Sequence, residues 1–154
     1  MKLSSSTRYV RTARLVFRLP TYARVVWGIL RDFNGHDRWH PAVKASSIER
    51  HLPSDLVGCV RRFQLQDGSE LREQLLALSD LEMTFSYCLL DTPIPLFNYV
   101  AHVRLLPVTD GQRTFLEWTA EFDCAPEREA ELVSNIGTGV FQGGFDALKR
   151  QFGG

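Results

Sequence analysis

The last third of the chain constrains the fold most. Across residues 126–152 the apolar side chains Leu132, Ile136, Val140, Phe141, Phe145, Leu148 and Phe152 recur at steps of three and four. That is the pattern of one long amphipathic helix. Gly137, Gly139, Gly143 and Gly144 stand inside it. Each glycine costs a helix interior about 1 kcal/mol relative to alanine, roughly 4 kcal/mol for the set. Missing side chains beside bulky ones leave room, either for close backbone packing or for a guest molecule. The pattern alone leaves both open.

The segments before this helix supply something for it to cover. Residues 9–19 alternate, with Ala13, Leu15, Phe17 and Leu19 on one face, and Pro20 stops the strand. Thr21 is the expected N-cap of a helix over 22–32, with Val25, Val26, Ile29 and Leu30 as its stripe. Asn34-Gly35 is expected to end that helix in a left-handed turn, and residues 36–40 form a short further turn before Pro41. Strands are predicted over 43–50, 59–65, 71–78, 83–90, 99–106 and 114–122. Asp67-Gly68 and Asp110-Gly111 are hairpin signals, while Pro93 and Pro95 stiffen the loop 91–97. Pro126 suits the first turn of the closing helix.

Strands joined by turns make an antiparallel meander, and a sheet whose helices all follow or precede it buries one face beneath them. The fold class expected is α+β: a curved antiparallel sheet of about seven strands, in the order β-α-α-β6-α, gripping the C-terminal helix around an elongated space. No linker, repeat or composition break divides the chain, so a single domain over 9–154 follows a flexible start at 1–8.

Charge and cysteine content narrow the function. Lys plus Arg number 18 and Asp plus Glu 18, so the net charge is zero and no basic run suggests nucleic acid. No stretch approaches the ~18 apolar residues of a membrane span. Residues 1–7 are polar and lack a signal-peptide core, which makes the cytoplasm the expected location. Cys59, Cys88 and Cys124 are odd in number and far apart, so buried free thiols are expected, with neither a zinc knuckle nor a disulfide framework. His36 and His40 are spaced like two ligands on one helical face, but no third ligand follows, and neither a metal nor a cofactor is expected.

An ordered set of segments resembles the SRPBCC or START-like superfamily, in its bacterial polyketide cyclase/dehydrase-type branch. The matching stretches are VWGILRDFNGHDRWHPAV (26–43), GCVRRFQLQDGSELREQLLALSD (58–80), MTFSYCLLDTPIPLFNYVAHVRLLP (83–107), RTFLEWTAEFD (113–123) and VFQGGFDALKRQF (140–152). The resemblance implies a helix-grip fold around a deep pocket for small apolar or amphipathic molecules. The superfamily spans aromatase/cyclases, lipid carriers and hormone receptors, so it implies fold more strongly than reaction.

Candidate site residues follow from strand parity. If Gln66 pairs with Ser69 across Asp67-Gly68, Arg62 lies opposite Glu73, with Val60, Gln64, Leu71, Leu75 and Ala77 on the same face. Arg61 and Arg72 then face solvent. An inward Arg62–Glu73 pair could orient a polar group of a ligand, or Glu73 could exchange protons with an enolisable carbon; outward, it would be a surface salt bridge worth little. Near one end of the implied pocket, Trp39 can bury a large ring while its N–H seeks a partner. His40 could serve in acid/base chemistry or simply hydrogen-bond the backbone. Phe85, Tyr87, Tyr99 and Trp118 recur on one parity of successive strands, which suits pocket walls with polar tips. Phe141, Gly144 and Phe145 complete the expected lining from the closing helix.

Three functions fit these residues. The first is a binding module, carrier or sensor, for a small hydrophobic or aromatic molecule. The second is a cyclase/dehydratase-type enzyme with Glu73 or His40 moving protons and Arg62 steadying an enolate. The third is a protein-interaction or chaperone-activating domain without a guest. A homodimer is left open.

Overall fold

The computed structural model describes residues 13–19 and 21–153; the start at 1–8 expected to be flexible lies outside them. The strands are β1 (Ala13–Leu19), β2 (Val43–Ile48), β3 (Val60–Leu65), β4 (Glu70–Ser79), β5 (Thr84–Asp91), β6 (Leu96–Val108) and β7 (Arg113–Cys124). They form one antiparallel sheet in the order β1-β7-β6-β5-β4-β3-β2: β2 to β7 follow the meander, and β1, separated from it by the first helix, pairs with β7. Helix α1 (Ala23–Leu30) and a 3-10 turn (His36–Arg38) separate β1 from β2. After β7 come a 3-10 turn begun by Pro126, then α2 (Glu129–Ser134), a π-helical segment (Asn135–Gln142) and α3 (Gly143–Phe152).

Alternation on β5, β6 and β7 sends Phe85, Tyr87, Tyr99, Ala101, Val103, Leu116, Trp118, Ala120 and Phe122 to one face. Val26, Trp27 and Leu30 of α1 and Leu132, Ile136, Phe141, Phe145 and Leu148 of the closing helix meet them in one core. The helical stripe read from the sequence is therefore the buried face, except Val140, which is 37% exposed, and Phe152, which is half-buried at the helix end. Bulges in β5 at Leu90, opposite Arg72/Glu73, in β4 at Leu76, between Leu75 and Ala77, and in β6 between Phe97 and Val100 bend the sheet around that core.

Three local expectations are corrected. The N-cap of α1 is Tyr22, without a side-chain bond, and Thr21 lies one residue earlier, its carbonyl accepting from the Thr114 hydroxyl at 2.7 Å. Gly35 keeps φ −88° rather than turning left-handed; Asp32 makes the turn, its side chain accepting from the Asn34 N–H at 3.1 Å and its carbonyl from the Gly35 N–H at 2.8 Å. At the β3–β4 hairpin the loop is Gln66-Asp67-Gly68, not Asp67-Gly68 alone. Leu65 N–H donates to Ser69 O at 2.9 Å, and Gly68 takes φ +89°. This is the three-residue hairpin with a left-handed glycine. It moves the register by one residue: Arg61 pairs with Glu73 and Arg62 with Arg72.

Candidate functional site

A one-residue slip exchanges the two faces of a strand. Arg61 is 5% exposed and Glu73 7%, both on the inner face, with Phe63, Leu71 and Leu75 as their neighbours by parity. Arg62 is exposed and reaches only Glu49, at 3.4 Å. The expected Arg62–Glu73 pair is thus an Arg61–Glu73 pair, and Arg62 has no place in the interior.

The pair is held tightly. Arg61 Nε donates to Glu73 Oε2 at 2.7 Å, and a second guanidinium nitrogen lies 2.5 Å from the same oxygen. A third donates to the Phe33 carbonyl at 2.8 Å. The guanidinium sits 3.9 Å from the centre of the Phe33 ring and 5.1 Å from that of Tyr87. Both of these carboxylate contacts fall on Oε2. Burial pushes the Glu73 carboxyl up and the Arg61 charge opposes it.

This pair stands in the wall of a cavity of about 310 Å³. The sheet supplies Val43, Phe63, Leu65, Leu71, Leu89, Leu96 and the Tyr87–Tyr99–Trp118 group; the helical side supplies His36, His40, Ile136, Gly139 and Val140. Gly139 and Val140 are exposed, and Ala42, Leu65 and Ile94 only half-buried, so the opening lies between the π segment and the β2 and β5–β6 connections. A π turn is wider than an α turn and is commonly found at functional sites. Here it carries Gly137 and Gly139, where an added Cβ would meet no atom within 4 Å.

Polar groups converge on one side. Trp118 Nε1 donates to the Tyr87 hydroxyl at 3.1 Å, and the Tyr99 ring lies beside it with ring centres 6.3 Å apart. Burial raises both tyrosines, so they stay neutral phenols. His36 is 7% exposed, and neither of its ring nitrogens has a hydrogen-bond partner. Burial first, then the Arg61 charge, hold its pKa well below the ordinary histidine value, so the ring is neutral. His40 differs. Its Nδ1 accepts from the Ala42 N–H at 3.2 Å, which places the proton on Nε2, and that nitrogen donates to the Val140 carbonyl at 2.8 Å. With both nitrogens on backbone, His40 clips the π segment to the β2 connection. Of the two roles the sequence left open, the geometry is that of the backbone bond.

The other expected lining residues divide. Glu73, Tyr87, Tyr99 and Trp118 line the cavity. Trp39 and Phe85 instead border a separate void of about 20 Å³, and Trp39 Nε1 is buried without a partner. Phe141 and Phe145 are fully buried against Trp118, with ring centres at 4.5 and 6.2 Å, and fill the space beside the cavity. Gly144 is a close approach rather than an opening: an added Cβ would lie 3.1 Å from His40 Cδ2 and 3.2 Å from Trp39 Cζ3. Sequence reasoning missed Arg61, Ile136 and Gly139 as lining. Phe63 and Leu65 carried the signal for Arg61, since they share its parity and would otherwise point to solvent. Among the described residues no group of three His, Cys, Asp or Glu side chains could hold a metal ion, and no helix is long and apolar enough to cross a membrane.

A curved antiparallel sheet closed by a C-terminal helix over a lined cavity is the START-like helix-grip arrangement. The chain belongs to the polyketide cyclase / dehydrase and lipid transport family, whose model matches residues 12–153. It matches no curated protein. A solution structure from Thermobifida fusca is 34% identical, with a TM-score of 0.84 over 92% of this chain and 93% of that one. The Zhui aromatase/cyclase from Streptomyces sp. R1128 is 16% identical, with a TM-score of 0.76 over 94% of each chain. Norcoclaurine synthase from Thalictrum flavum, in complex with dopamine and hydroxybenzaldehyde, is 14% identical, with a TM-score of 0.74 over 94% of this chain and 87% of that one. The last two likenesses concern the fold alone.

Proposed function

We propose that the protein binds one small, largely apolar molecule in the 310 Å³ cavity, as a carrier or sensor. The observation that carries this reading is that the closing helix, despite Phe141 and Phe145, leaves that volume unfilled beneath its π segment. The volume falls within the range of small-molecule sites, about 300–1,000 Å³. An apolar cavity of about 150 Å³ holds benzene, so this one suits a guest of about two rings. Apolar walls supply affinity, and the Arg61–Glu73 side orients. Naphthalene titrated into the protein should bind saturably at one site. Leu71→Trp, which fills the cavity from β4, should weaken it at least tenfold while circular dichroism stays unchanged. Unsaturable binding, or equal affinity in a folded Leu71→Trp, would overturn the reading.

A second reading, acid/base catalysis, draws on one observation: the buried Glu73 carboxyl has a raised pKa beside a cation that could steady an enolate oxygen. Deuterium exchange at the α-carbon of a two-ring aryl ketone checks it. Exchange faster with the wild type than with Glu73→Gln supports catalysis, and equal rates dismiss it.

A further inference from the structure

The polar side of the cavity specifies the head group of its guest. Among the described lining residues the charged ones are Arg61 and Glu73, and they neutralise each other. Arg61 is further engaged by the Phe33 carbonyl and by the faces of Phe33, Phe63 and Tyr87. No cation is left to receive an anionic head. Histidine at position 36 is neutral and adds none.

The hydrogen-bonding capacity that remains has a definite pattern. The Tyr87 oxygen accepts from the Trp118 indole N–H at 3.1 Å, which leaves its own proton to donate. Glu73 uses Oε2 for Arg61, so Oε1 is left to accept. Neutral His36, whose two ring nitrogens are unpartnered, adds one more donor and one more acceptor to the lining; such donor–acceptor pairs match a hydroxyl, which takes the first and gives the second. A carboxylate could take the Tyr87 proton but would meet the Glu73 carboxylate, and a bare hydrocarbon would satisfy neither.

We propose that the cavity selects a neutral alcohol or phenol of about two-ring bulk and rejects carboxylates of the same shape. This rests on the cavity-binding reading above and deepens it. The rejection arises because Glu73 has already consumed Arg61, the one buried cation among the described residues.

The test compares 1-naphthol, naphthalene and 1-naphthoate by isothermal titration at pH 7, on wild type and on Glu73→Gln. Wild type should bind 1-naphthol at least tenfold tighter than 1-naphthoate and several-fold tighter than naphthalene. Glu73→Gln releases Arg61, so its affinity for 1-naphthoate should rise at least fivefold. Equal or tighter wild-type binding of 1-naphthoate overturns the proposal, as does a folded Glu73→Gln with no gain for it. Should Glu73→Gln not fold, the wild-type ranking decides alone. If all three probes bind equally, this inference falls while the cavity reading stands; if none binds saturably, both fall.

Discussion

Two neighbouring glycines should respond to alanine with opposite signs. At Gly143 an added Cβ would meet nothing within 4 Å, and the backbone is helical at φ −59°, ψ −41°. Gly143→Ala should therefore gain the full helix preference, about 1 kcal/mol. At Gly144 the same preference is opposed. The new methyl would lie 3.1 Å from His40 Cδ2, 3.2 Å from Trp39 Cζ3 and 3.3 Å from His40 Nε2. Neither ring moves freely: His40 is bonded to backbone through both nitrogens, and Trp39 packs against Trp118 with ring centres 6.5 Å apart. Overpacking of this kind costs about 1–3 kcal/mol, and displacing His40 also weakens its bond to Val140, worth about 1 kcal/mol. Gly144→Ala should thus lose about 1–3 kcal/mol net. For a domain of this size 1 kcal/mol is about 2–4 °C in Tm, so the two variants should straddle the wild type with a clear gap. Urea unfolding followed by circular dichroism measures it. If Gly144→Ala is as stable as Gly143→Ala, the clip of His40 on the π segment is not the constraint argued here.

Arg61→Met strands Glu73 and should cost about 3–5 kcal/mol, whereas Arg61→Met with Glu73→Leu should recover most of it, because the pair's desolvation is removed with its attraction. Arg62→Ala should change stability by less than about 1 kcal/mol, since its partner Glu49 is reached at the surface; chemical denaturation of the three variants checks the register. His36 and His40 both have folded-state pKa values held below the unfolded one, near 6.5. Below that pH the unfolded chain binds more protons, so the stability they contribute, fully present above it, is lost as pH falls, by up to about 1.4 kcal/mol per pH unit for each ring. His36→Phe should flatten that decline between pH 6.5 and 5 and leave pH 7 stability equal or higher, because it removes two unpartnered buried nitrogens; a steeper decline would contradict the burial of a neutral ring.

The architecture was legible because its signals were redundant. Alternation in β5, β6 and β7 and the stripe Leu132, Ile136, Phe141, Phe145 and Leu148 each required the same buried face. The site was less legible because it turned on one residue of hairpin register. Asp67-Gly68 fits a two-residue turn and also a three-residue loop with glycine left-handed, and only the second puts Phe63 inside. Glu73 kept its inward place under both readings, since Leu71 and Leu75 hold its parity, but its partner changed from Arg62 to Arg61. The glycines misled for a related reason. Composition shows that a helix lacks side chains, not which way the gaps face: Gly139 borders the cavity, while Gly144 takes two rings at contact distance. The π segment had no sequence signal beyond the glycines themselves.

The central claim is that a guest enters beneath the π segment and meets the Arg61–Glu73 wall. Methyl and amide NMR shifts recorded during a titration with 1-naphthol test it directly. Saturable shifts are expected at Leu71, Leu89, Leu96, Ile136 and Val140, which surround the cavity. No saturable shift, or shifts confined to the surface groove at Tyr22, Leu81 and Leu106, would contradict it.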